Sequence, residues 1–107
     1  MNQVVEIIEP TGRLDINNAA KLRKQVAEII NNKPNLLLVD LKNVSFMDSS
    51  GLGALVAALK TVRGIGADMV LCSPNEQVSM LLELTSMSKI FKIYGSRAEF
   101  NSKHQVG

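Results

Sequence analysis

The chain has 107 residues, 46% of them hydrophobic and 21% charged, and its 12 basic and 10 acidic residues leave a formal net charge of +2. That balance describes one globular domain with one core and excludes an intrinsically disordered chain. The basic residues are scattered, Lys21, Arg23 and Lys24 being the only local cluster. The basic face of a nucleic-acid binder is therefore not expected.

A short β-branched run at residues 4–8 is broken by Pro10 and Gly12, which predicts a strand and then a turn. Over residues 19–30 the apolar side chains Ala19, Leu22, Val26, Ile29 and Ile30 form a helical stripe, with Lys21, Arg23, Lys24 and Glu28 on the other faces. Asn17 or Asn18 is the expected cap of this helix. Residues 36–41 (LLLVDL) read as a strand covered on both faces. A loop at 42–48 then leads to a second helix at 50–63, whose apolar positions are Leu52, Leu55, Val56, Leu59 and Val62. The small residues Gly53, Ala54, Ala57 and Ala58 would let it lie close to a sheet, and Gly64 and Gly66 stop it.

Residues 69–72 form the third expected strand, followed by Ser73 and Pro74 as cap and first residue of a helix reaching 84. Residues 90–94 are the fourth strand, and Ser96-Arg97-Ala98-Glu99 is a capping box for a last helix ending near Asn101. Residues 102–107 are expected to fray. The alternation predicts an α/β fold: a small open, mostly parallel four-stranded sheet with about four helices in a single domain.

Cys72 is the only cysteine, so no intrachain disulfide forms, and its place at the end of an apolar run marks a buried, inert thiol. There is no charged-then-apolar leader, and the longest apolar stretch, 52–59, is too short to span a bilayer. These features lead us to expect a cytoplasmic protein without membrane association.

No G-x-S-x-G elbow, phosphate-binding loop or cluster of metal ligands occurs, so no catalytic residue, metal or cofactor is expected. His104 is the only histidine, and a hydrolase using Ser49 or Ser50 would need the tail to fold back and supply it. Gly51-Leu52-Gly53 begins like a dinucleotide fingerprint, but Val56 stands where the third glycine belongs.

The distinctive segment is FMDSSGLG at 46–53. Asp and Ser are good helix caps, and a helix start alone would account for them. Two hydroxyls and a carboxylate nevertheless exceed what capping requires. The segment also follows a buried strand, where open α/β sheets place their functional surface. Phe46, Met47, Leu52 and Leu55 would set apolar side chains around this polar tip, as in a protein contact.

VSFMDSSGLG at 44–53 resembles the signature of anti-sigma factor antagonists, the small STAS-domain proteins of bacterial partner-switching systems. The resemblance extends to TGRLD at 11–15, GADMVLC at 66–72 and the segment 85–94, and so covers roughly residues 4–101. It implies an antagonist that, unphosphorylated, binds an anti-sigma factor which is also a serine kinase, freeing a sigma factor for transcription. The kinase would phosphorylate the serine directly after the aspartate, here Ser49, causing release, and a PP2C-type phosphatase would reset it. Ser50 is by the same match not the usual acceptor. The implied partner-binding set is Asp15, Asp48, Ser49, Ser50, Gly51 and Leu52.

A phosphoserine adds nearly two negative charges, which unpaired N–H groups at the positive end of the 50–63 helix would accept. The fold is then expected to change little, the effect falling on the partner. One departure is that the family commonly has an extra strand before residues 4–8. Its absence would expose a sheet edge, and the oligomeric state stays open. Alternative readings are a non-switching STAS subunit of a regulatory or transport complex, or a small nucleotide-binding domain.

Overall fold

Six strands and four α-helices alternate along residues 3–104, the part of the chain that the computed structural model describes. In chain order they are β1 (Val5–Ile8), β2 (Gly12–Leu14), α1 (Ile16–Ile29), β3 (Leu36–Asp40), β4 (Val44–Met47), α2 (Ser49–Gly64), β5 (Asp68–Cys72), α3 (Glu76–Leu84), β6 (Lys92–Tyr94) and α4 (Arg97–His104). A parallel four-stranded sheet runs in the order β1-β3-β5-β6, and β2 and β4 form a separate parallel pair. The expected α/β architecture of four parallel strands and four helices is present, with the small second sheet added to it.

All five residues of β3 are buried because both faces of the central strand are covered. Leu37 and Val39 pack with Leu22 and Val26 of α1, Leu55, Leu59 and Val62 of α2, and Leu82 of α3. Leu36 and Leu38 face the other way, against Val70, Cys72, Tyr94 and Phe100. Each such side chain contributes about 1.5–3 kcal/mol on full burial, before conformational entropy is set against it.

Phe100 seals that second face. Its ring meets Tyr94 edge-on at 5.5 Å and stacks on His104 at 4.5 Å, while the Tyr94 hydroxyl and His104 Nε2 lie 2.9 Å apart. These contacts carry α4 to His104, past the expected end at Asn101, so residues 102–104 are helical and not frayed. Residues 105–107, also expected to fray, lie outside the described residues. At the other end of α4, Arg97 reaches Asp40 Oδ2 at 3.0 Å and Glu9 Oε1 at 3.4 Å. Asp40 is 0% exposed. Burial opposes the Arg97 charge, but the hydrogen bonds to Asp40 and Glu9 outweigh it and hold the guanidinium above its ordinary pKa.

Four local expectations are corrected. The turn near Gly12 and the loop at 42–48 contain β2 and β4, which hold each other through a pairing some thirty residues apart in the chain. Helix α1 begins at Ile16, capped by Asp15 and not by Asn17 or Asn18: the Asp15 side chain accepts from Asn17 N at 3.0 Å. Asn18 instead donates its side-chain amide to the Arg13 carbonyl at 2.6 Å. Ser73 lies in the left-handed region (φ 59°), not the extended backbone of an N-cap, and Asn75 caps α3 by accepting from Val78 N at 2.9 Å. Gly66, with φ 81°, ends α2 as expected, whereas Gly64 remains helical. Among the described residues no helix is long and apolar enough to cross a membrane.

Candidate functional site: a pair of aligned helix starts

The parallel pairing of β2 and β4 sets Arg13 beside Phe46 and Leu14 beside Met47. Each strand then passes through an extended aspartate directly into a helix, Asp15 into α1 and Asp48 into α2. The two helix starts therefore stand side by side. Asp48 Oδ1 accepts from Ser50 N at 2.9 Å and Gly51 N at 3.1 Å, satisfying two of the amides that a helix start leaves unpaired.

Gly51 is what allows the two units to meet. A β-carbon there would overlap the Leu14 carbonyl oxygen, so only glycine lets the first turn of α2 rest on the end of β2. The Asp48 amide donates to that same carbonyl at 3.3 Å. On the other side of β4, Gln77 behaves like a missing neighbouring strand: its side chain accepts from Met47 N at 2.9 Å and donates to Met47 O at 2.8 Å. Asn75 Nδ2 lies 3.2 Å from the carbonyl oxygens of both Val44 and Ser45. Sequence reasoning missed Asn75 and Gln77, whose only signal is a pair of side-chain amides at the head of a helix.

Asp15, Asp48, Ser49 and Ser50 come together at this end of the domain. Ser49 is exposed, the other three are half-buried, and Gly51 and Leu52 turn inward beneath them. The expected apolar surround is mostly core: Met47, Leu52 and Leu55 are buried, and of the four only Phe46 keeps partial exposure. Arg13 stacks on the Phe46 ring, 4.3 Å from its centroid, and its Nε lies 3.5 Å from Asp15 Oδ2. A phosphate is expected from the sequence to meet unpaired N–H groups at this helix start, but two of them, those of Ser50 and Gly51, are already taken by Asp48. A phosphate on Ser49 would stand beside a carboxylate, with the helix dipole as partial compensation.

Cys72 is fully buried, and burial is the main cause that pushes its thiol pKa up. His104, bound to Tyr94, lies on the face of the sheet opposite α2. The crevice beside the paired starts, lined by Thr11, Leu14, Asn18 and Lys21 among others, encloses about 60 Å³. Small-molecule sites usually enclose several hundred.

Residues 2–100 match the sequence pattern of the STAS domain. An anti-sigma F factor antagonist of Paenibacillus polymyxa is 35% identical over 103 residues, covering 95% of this chain and 88% of that protein. The anti-sigma-B factor antagonist of Listeria monocytogenes is 34% identical over 94 residues, covering 87% and 82%. A crystal structure from Thermotoga maritima, provisionally described as an anti-sigma factor antagonist, superposes with a TM-score of 0.84 at 35% identity, covering 92% of this chain and 86% of that one.

Proposed function

We propose, for a chain that belongs to the STAS domain family and within it to the anti-sigma factor antagonists, a phosphorylation-controlled binding switch centred on Ser49. The observation that carries this reading is the exposed Ser49 hydroxyl at the first position of α2, directly after the cap Asp48 and beside the second capped start at Asp15. The protein acts by binding and not as an enzyme. Unphosphorylated, it holds an anti-sigma factor that is also a serine kinase, through Asp15, Asp48, Ser49 and Ser50, with Gly51 and Leu52 supporting them from beneath.

Phosphoryl transfer joins Ser49 Oγ to the γ-phosphorus of ATP, expels ADP and releases the hydroxyl proton. The new group brings close to two negative charges to a tip that already holds two carboxylates. Inside an interface such a charge is desolvated without a partner. A loss of only about 2.7 kcal/mol lowers affinity a hundredfold. A PP2C-type phosphatase restores the binding form.

Phosphopeptide mapping of the protein recovered from its native cells, with identification of what co-purifies, tests the reading. Phosphate on Ser49 and a co-purifying serine kinase are expected. Ser49→Ala should bind that kinase permanently and Ser49→Asp weakly. Unmodified Ser49 across growth and stress conditions, with no kinase bound, would replace the switch by a non-switching STAS subunit.

A further inference from the structure

Ile16 and Ser49 hold equivalent places. The last aligned pair of the small sheet is Leu14 with Met47, each strand takes one further step to its aspartate cap, and the helices open on Ile16 and Ser49. Ile16 is 74% exposed. One exposed isoleucine is unremarkable by itself. A second residue on the same surface changes its meaning.

Gly53 lies one helical turn after Ser49, at the i+4 position, and so continues the same face of α2. Glycine is the poorest helix former after proline. Gly51 has an internal reason for lacking a side chain, because the Leu14 carbonyl occupies the space. Gly53 has none: it is exposed, its backbone is ordinary helix, and a β-carbon there would meet nothing within 4 Å. The fold loses helix stability at Gly53 without gaining packing, which points to a requirement outside the domain. A bare stretch of helix lets another backbone approach closely.

We infer that Ile16 and Gly53 flank Ser49 as the two non-polar contacts of the partner surface, Ile16 entering an apolar pocket and Gly53 receiving a closely packed backbone segment. The inference rests on the reading of Ser49 as the switch and names what surrounds it. The occupant is the anti-sigma factor kinase, and charge sets its chemistry. Arg13 is engaged by Asp15 and Phe46, whereas Asp48, held only by the Ser50 and Gly51 amides, has no ion-pair partner among the described residues. The partner should therefore present a cationic side chain next to its apolar pocket. A phosphate on Ser49 would stand between the two non-polar contacts and hold them apart.

The test measures binding of the purified anti-sigma factor kinase from the source cell to the intact domain and to Ile16→Ala, Gly53→Ala and Ser49→Asp, with a melting curve for each. Gly53→Ala should raise the melting temperature by about 4 °C, as a better helix former with free space around it, and yet lower affinity at least tenfold. Ile16→Ala should melt like the parent and lose affinity to a similar degree. If both bind like the parent while Ser49→Asp is weakened, the inference is overturned and the switch stands. If the parent itself does not bind the kinase, both fall together.

Discussion

Gly51 and Leu14 touch so closely that the carbonyl oxygen of one fills the place where the side chain of the other would begin. This contact joins two strand-to-helix units into one surface, with Asp15 and Asp48 capping the neighbouring helices. Gly51→Ala is therefore expected to force the start of α2 off the end of β2. Overpacking of this kind costs about 1–3 kcal/mol. Because the obstacle is the Leu14 backbone, relief by rotamer change is not open to it. Urea denaturation should show the loss, and a variant as stable as the parent would refute the contact.

Charge at the head of α2 gives a second prediction. Ser49→Asp adds a negative charge near the positive helix end but also next to Asp48, and the two effects oppose each other. The net change in stability should stay below about 1 kcal/mol. Replacing Asp48 by Asn keeps an oxygen for the Ser50 and Gly51 amides while removing its charge. Asp48→Asn should then be less destabilising in the Ser49→Asp background than in the parent. A double-mutant cycle by thermal melting measures the difference, and additivity would show that the two groups do not interact.

The buried Asp40–Arg97 pair gives a third. Arg97→Ala leaves a wholly buried carboxylate whose remaining cationic neighbour among the described residues is Lys42, with its amide at 3.0 Å and Nζ at 4.0 Å. Removing one partner of a buried pair costs about 3–5 kcal/mol. The lower part of that range is expected, because the Arg97 side chain is 32% exposed and Lys42 remains. Asp40→Asn with Arg97→Met should recover part of the loss. Chemical denaturation of the three proteins decides it.

Cys72 gives the fourth. Burial raises its thiol pKa and closes access to it, so a colourimetric disulfide reagent should leave it unmodified at pH 8 in the native state. In denaturant one thiol per chain should react. Fast native labelling would show that the second face of the sheet opens readily.

The parts legible in the sequence are those whose burial is complete or whose periodicity is long. Residues 36–41 read as a strand covered on both faces because no polar residue interrupts LLLV. The 50–63 stripe read as a helix packed on a sheet for the same reason. β2 and β4 escaped because they are short, carry exposed Gly12, Arg13 and Ser45, and exist only through one another. Asp15 was missed as a cap because the helix it opens begins with an exposed isoleucine, outside the apolar stripe. The Asp48-Ser49-Ser50 tip was legible as chemistry, but its alignment with Asp15 depends on a pairing that no local pattern announces.

Arg97 lies 57 residues after Asp40 and 88 after Glu9. During synthesis the amino-terminal part leaves the ribosome first. All the residues of the paired helix starts, Gly12 through Gly51, therefore reach water while the guanidinium for Asp40 has yet to be added. The side of the sheet under α4 can close only after Phe100 has emerged, and until then a carboxylate destined for the interior remains hydrated. The end of the domain that carries the paired helix starts is thus specified early in the growing chain, and the clasp that fixes the sheet behind it is added later.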